Sequence, residues 1–239
     1  MIGWRPLVAG TFCLWAAPSL ADVPFTTDDP GLIEPGHLEI AVTFDAITQR
    51  GGDHVLAGAS ADFGVTDRLQ LGFAAPVAAL SRGADRFAVD ELAAHAKIAL
   101  VPQQGKRLGL VFEPSIVVPF NDRMRTKAGL ALPLFAGVTR GEWSIYGGGG
   151  IMLASPKDGG DYGFGGLVVS RALGDRWSVG GEVNGRSGDA FGPSMIEAGP
   201  GVAFAIDDRF TLAAAHYRTI VHPAAHGDAR TLVTLRYAR

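Results

Sequence analysis

From Leu38 the apolar residues fall on every second position: Leu38, Ile40, Val42, Phe44 and Ala46, with Glu39, Ala41, Thr43 and Asp45 between them. That period of two describes a strand with one apolar and one polar face. The pattern returns with Val55, Ala57, Ala59, Ala61, Phe63 and Val65. It returns again with Leu69, Leu71, Phe73, Ala75 and Val77. Further strands are predicted at about 92–101, 107–119, 128–138, 143–153, 162–173, 177–186, 195–206, 210–218 and 229–237, which makes twelve. No segment carries a 3.6-residue stripe of helical length.

The connections alternate in length. Thr66-Asp67-Arg68, Arg140-Gly141-Glu142, Gly174-Asp175-Arg176 and Asp207-Asp208-Arg209 are short polar turns that resemble one another, and Gln103 to Arg107 is a looser version. Most of the others, at about 79–90, 121–127, 154–160, 187–193 and 219–228, are longer and more varied. Hairpins with short turns at one end and long loops at the other are the arrangement of an outer-membrane β-barrel. The expected fold is therefore all-β, an antiparallel up-and-down transmembrane barrel of twelve strands, rather than a soluble barrel or sandwich. Trp143, Trp177 and Phe210 follow short turns on the apolar face and are assigned to a membrane girdle at that end. Tyr162 and Phe164, at the loop end of their strand, are assigned to the opposite girdle. Pro76, Pro114, Pro133 and Pro200 fall inside proposed strands, where each removes a ladder hydrogen bond.

Composition fits this picture. Of 239 residues, 47% are hydrophobic and only 19% charged, yet no uncharged apolar run in the body of the chain is long enough for a membrane helix. Glycine, at 33 residues, is about twice its usual share of roughly 7%. Several glycines, such as Gly147 to Gly150, fall within strands, where a narrow lumen needs small side chains. The formal charge of −3, with both signs interspersed, excludes an electrostatically driven nucleic-acid binder.

The N-terminus reads as a secretory signal over residues 1–21: Arg5, then the apolar stretch from Pro6 to Leu20, then Ser19-Leu20-Ala21 as a cleavage pattern. Cys13, the only cysteine, follows Phe12 and so does not fit a lipoprotein signal. The expected organisation is signal peptide 1–21, a periplasmic N-terminal segment 22–36, and a barrel domain 37–239 in the outer membrane of a Gram-negative envelope. The expected partners are the outer-membrane bilayer, the barrel-assembly machinery and a small-molecule solute. Against the barrel reading, the chain ends Tyr237-Ala238-Arg239 and not on the aromatic of an assembly-signal strand, although Tyr237 continues the last strand's register and would set that signal back by two residues.

The stretch Val23-Pro24-Phe25-Thr26-Thr27-Asp28-Asp29-Pro30-Gly31, followed by Glu34-Pro35-Gly36-His37-Leu38-Glu39-Ile40, resembles the start of the outer-membrane family named for the meta-cleavage pathway of phenol degradation. Gly64-Val65-Thr66-Asp67-Arg68-Leu69-Gln70-Leu71-Gly72, with Pro76-Val77 after it, resembles that family's second hairpin. The resemblance covers residues 23–77. It implies an outer-membrane barrel with a role in passage of small, often aromatic or hydrophobic compounds, without naming a substrate.

The strand residues expected to face the lumen are Glu39, Asp45, Asp62, His95, Lys97, Glu113, Glu182, Asn184, Arg186, Arg230 and Arg236. In an open channel these would set selectivity. In a barrel much narrower than the 16–18-stranded porins, pairing with one another is the favoured reading. Thr26-Thr27-Asp28-Asp29 would lie in the periplasm or plug the barrel base, and reads as a capped turn rather than a cation site. His222, His226 and Asp228 are expected in a solvated loop. No cofactor, metal site or catalytic motif is expected. The competing functions are a lipid-modifying hydrolase, for which Ser170 and His216 on the apolar face would be the candidates, and a purely structural barrel.

Overall fold

The computed structural model describes residues 24–48, 54–81, 84–86, 91–119, 128–154, 160–188, 193–221 and 229–239. The wall begins with β1 (Leu38–Thr48), β2 (His54–Thr66) and β3 (Leu69–Ser81), with a short extension β4 (Ala84–Arg86). It continues through β5 (Glu91–Val101), β6 (Gly109–Phe112), β7 (Ser115–Pro119), β8 (Gly129–Arg140) and β9 (Trp143–Ala154). It ends with β10 (Tyr162–Leu173), β11 (Trp177–Arg186), β12 (Met195–Ala205), β13 (Phe210–Val221) and β14 (Ala229–Ala238). β4 pairs only with the end of β3, and β6 and β7 are two halves of one wall strand, so the barrel has twelve strands.

Every wall pairing is antiparallel and joins neighbours in sequence, until β1 meets β14 and closes the sheet, with Val42 opposite Leu235. Closure matters because an open edge would leave unpaired N–H and C=O groups in lipid. The two-residue turn Gly141-Glu142 places Gly141 at φ 62°, a left-handed conformation that costs glycine least.

The prolines sit where the ladder gives way. The wall strand breaks between β6 and β7 at Glu113-Pro114, and Pro133 faces that break, its carbonyl accepting the Glu113 N–H at 3.1 Å. Pro76 lies beside the irregularity between Ala57 and Gly58. Pro200 lies in the stretch where the β12–β13 pairing is interrupted between Ala198 and Gly201.

The outer face is apolar and exposed. Ile40, Val42, Phe44, Leu71, Phe73, Leu134, Ile145, Leu167, Val183, Leu212 and Leu235 all point away from the lumen. Near the short turns the face turns aromatic. Trp177 packs on Phe204 (centroids 4.5 Å apart), Phe210 packs on Tyr237 (5.1 Å), and the Arg171 guanidinium lies 5.5 Å over Trp143. Arg171 also pairs with Glu142 at 2.8 Å. An aromatic ring of this kind suits the level of lipid headgroups.

β10 corrects the expected orientation of three residues. Val168 and Ser170 are buried, while Leu167, Val169 and Leu173 are exposed. The same alternation turns Tyr162 and Phe164 into the lumen, so they are not an outer girdle. The Arg186 guanidinium lies 5.4 Å over the Tyr162 ring, inside the barrel. Ser170 likewise faces inward. Both faces of this strand are apolar, so period two alone leaves its direction open. Pairing with β11 fixes it, since Val168 stands opposite the buried Glu182, and Gly166 on the same inward face leaves room for Thr27.

Candidate functional site

The N-terminal segment does not hang below the barrel as a periplasmic stretch; of the two placements expected for Thr26-Thr27-Asp28-Asp29, it takes the plug. Residues 24–34 run inside the bore. Pro24 and Phe25 press against Gly201, Thr27 against Gly166, Pro30 against Gly109 and Gly137, and the Ile33 and Glu34 carbonyls against Gly64. At Gly201 a β-carbon would come within 2.6 Å of Pro24 and 2.7 Å of Phe25. Part of the glycine excess is thus the space that admits this segment. Leu32 adds an apolar anchor by packing on Ala99, Val111 and Phe135.

Two polar anchors hold the segment from opposite walls. On β11, Glu182 is 2% exposed, and its carboxylate accepts five hydrogen bonds. Thr26 gives its N–H (2.9 Å) and hydroxyl (2.8 Å), Thr27 its N–H (2.8 Å) and hydroxyl (2.6 Å), and Tyr217 of β13 its phenol (2.5 Å). Asn184 Nδ2 donates to Thr26 Oγ1 at 2.9 Å. A buried carboxylate is tolerated only when satisfied in this way.

On β5, the Lys97 ammonium lies 2.9 Å from Asp28 Oδ1 and 3.7 Å from Asp29 Oδ1. The acidic pair therefore faces a lysine. It also caps its own turn, since Asp29 Oδ1 accepts the Gly31 N–H at 2.7 Å and Asp28 Oδ1 the Asp29 N–H at 2.8 Å. Beside Lys97, His95 Nε2 lies 2.7 Å from Asp62 Oδ1 and 3.9 Å from Glu113. Gln70 ties this wall to the segment: its amide nitrogen donates to Asp62 at 3.3 Å and its oxygen accepts the Ile33 N–H at 3.0 Å.

The remaining lumen charges pair with one another at other heights. Arg230 grips Asp45 through Nε and Nη2, at 2.8–3.0 Å, and reaches Glu197 at 3.1 Å. Towards the short turns, Arg236 lies 3.6 Å from Glu39. Between the anchors an open cavity of ≈ 320 Å³ remains. Phe25, Phe135 and Phe164 line one part of it, and Asp28, Glu113, Thr26, Thr27 and Ser115 the rest.

Sequence reasoning did not pick out Tyr217 or Glu197 as lumen residues. Each lies in step with small or polar neighbours on the inward face, such as Thr211, Ala213 and Ala215 for Tyr217, and that parity was the available signal. It did not assign Thr26 and Thr27 to Glu182, and nothing in spacing could have done so. The hydrolase pair is separated by the wall: Ser170 is inside, while His216 is on the outer face, bonded to Thr231 at 2.9 Å. His222, His226 and Asp228, and the signal segment 1–21, lie outside the described residues.

No protein family matches the chain, and no curated protein sequence does either. Solved structures match its fold. An outer membrane channel from Pseudomonas putida F1 superposes with a TM-score of 0.63 at 13% identity, covering 87% of this chain and 97% of that one. The KdgM porin gives 0.60 at 8% identity, covering 82% and 98%. The NanC porin gives 0.55 at 6% identity, covering 84% and 98%. At these identities the likeness establishes a porin-like transmembrane β-barrel.

Proposed function

We propose that the protein is an outer-membrane channel for passive passage of small, partly apolar solutes, with residues 24–34 seated in its bore as a displaceable stop. One observation carries this reading. The barrel is apolar outside and lined by paired charges inside, and it encloses a cavity where aromatic rings face carboxylates and hydroxyls. A solute with an aromatic or hydrophobic body and a polar edge suits such a wall. The porin-like neighbours support passage in general, and the resemblance of residues 23–77 to the meta-pathway family favours aromatic compounds. Lumen-facing roles for the predicted charged residues, export by the segment 1–21 and insertion by the barrel-assembly machinery belong to the same reading. Among the described residues, the wall separates Ser170 from His216, so that pair does not support a hydrolase.

Liposome swelling tests the proposal. The full chain is compared with a variant whose residues 24–34 are replaced by a Gly-Ser linker. Slow entry of small aromatic acids with the full chain, and several-fold faster entry with the variant, is the expected result. Liposomes that stay impermeable with both would leave a structural barrel as the better reading.

A further inference from the structure

Among the described residues, the outer face of the wall carries a polar spot far from the short turns. On β13 the outward positions read Phe210, Leu212, Ala214, His216, Arg218 and Ile220, and His216 and Arg218 are both exposed. In the β13–β14 ladder His216 stands opposite Thr231 and Arg218 opposite Ala229. In the β14–β1 ladder Ala229 stands opposite Thr48, which is also exposed. Arg218, His216, Thr231 and Thr48 thus form one outward cluster across the seam where the barrel closes. Among the described outward strand positions, the other charged side chains are Arg140 and Arg171, both beside the short turns.

Height makes this cluster informative. Phe210 belongs to the aromatic ring, and Arg218 is eight positions further along the strand. At about 3.4 Å per residue and a tilt of about 40°, Arg218 lies about 20 Å above that ring. The apolar band of such barrels is about 25 Å tall, so Arg218 lies inside it, just short of its far border. Ile220, beyond it, is 63% exposed and still apolar. An arginine this close to the border extends its guanidinium to the headgroup level, where lipid anions stand. A phosphate suits the guanidinium, which binds it with two parallel N–H donors. Around Arg218 stand two further groups able to bond a phosphate, the His216 ring, oriented by Thr231, and the Thr48 hydroxyl.

We propose that Arg218, His216, Thr231 and Thr48 form a binding site for the phosphomonoester headgroup of an anionic lipid in the far leaflet. The site rests on the reading of this chain as a membrane barrel. It is separate from the bore and from solute passage.

Arginine on a lipid-facing wall costs stability unless it is neutralised, which gives the test a sign. Wild-type protein and Arg218→Leu are folded into phosphatidylcholine bilayers, with and without phosphatidic acid as the phosphomonoester lipid. Urea unfolding midpoints are then compared. In phosphatidylcholine alone the variant should match or exceed wild type. Phosphatidic acid should raise the wild-type midpoint and leave the variant unmoved. His216→Gln should need roughly tenfold more phosphatidic acid for the same rise. An equal rise in wild type and Arg218→Leu, or a rise produced by inorganic phosphate alone, would overturn the site. Gel mobility of unheated samples reports folding separately. A wild type that never folds in any bilayer would overturn the barrel reading and the site with it.

Discussion

Tyr217 of β13 donates its hydroxyl hydrogen to Glu182 of β11, past the intervening strand β12, and so fixes the carboxylate that holds Thr26 and Thr27. The phenol is fully buried, as is the carboxylate. The pair forms a rigid bracket on the wall, and the N-terminal segment hangs from it.

Removing the bracket should loosen the segment. Glu182→Ala leaves the Thr26 and Thr27 N–H groups and the Tyr217 hydroxyl without their acceptor, a loss of roughly 1–3 kcal/mol for such buried donors. In planar bilayers the variant should show larger single-channel conductance than wild type. Unchanged conductance would argue against a stop held by Glu182.

Sterics should give the same result without touching a charge. Gly166→Val places a side chain where Thr27 Oγ1 lies. Phe25→Cys, introduced alone or with Gly166→Val, supplies a reporter on the segment. A bulky maleimide should label the double variant several times faster, because the segment no longer seats. Equal labelling rates would mean that the segment finds another place in the bore.

Lys97 tests the opposite wall. Lys97→Met leaves Asp28 and Asp29 facing an apolar side chain in a buried setting, and breaking a buried pair from one side costs about 3–5 kcal/mol. Adding Asp28→Asn should recover part of that loss. Urea midpoints for the two single variants and the double variant measure the coupling, which should be well above zero.

Depth dependence tests the membrane face. Val42 is 39% exposed and lies four positions above the start of β1, near mid-band. Val42→Arg should destabilise the bilayer-folded protein by about 2–4 kcal/mol. Leu71 is just as exposed but lies two positions from the start of β3, beside a short turn. Leu71→Arg should cost about 0–1 kcal/mol, because arginine there reaches water. Equal costs in detergent-free bilayers would contradict this orientation.

The strands were legible because alternation is a local property. Ile40, Val42 and Phe44 announce β1 without help from any other strand. Where both faces are apolar the signal fails, as at Tyr162 and Phe164. Their direction follows from register against the neighbouring strands, which places Val168 of the same face opposite Glu182. The break at Glu113-Pro114 could be suspected from Pro114, but its match to Pro133 depends on register between strands. The partners in the lumen were hidden for the same reason. Asp45 and Arg230 are both marked by parity, yet only closure of β1 on β14 brings them together.

The bond from Thr26 to Glu182 joins positions 156 apart in sequence. Its acceptor does not exist as a bracket until β11 and β13 stand side by side with β12. Ring closure by β1 and β14 likewise waits for the last strand to be delivered. The stretch synthesised near the beginning therefore has anchors at both ends of the chain order: Gln70 and Lys97 early, Glu182 and Tyr217 late. The segment thus ties the first half of the wall to the second from within, as a strut laid across the cylinder.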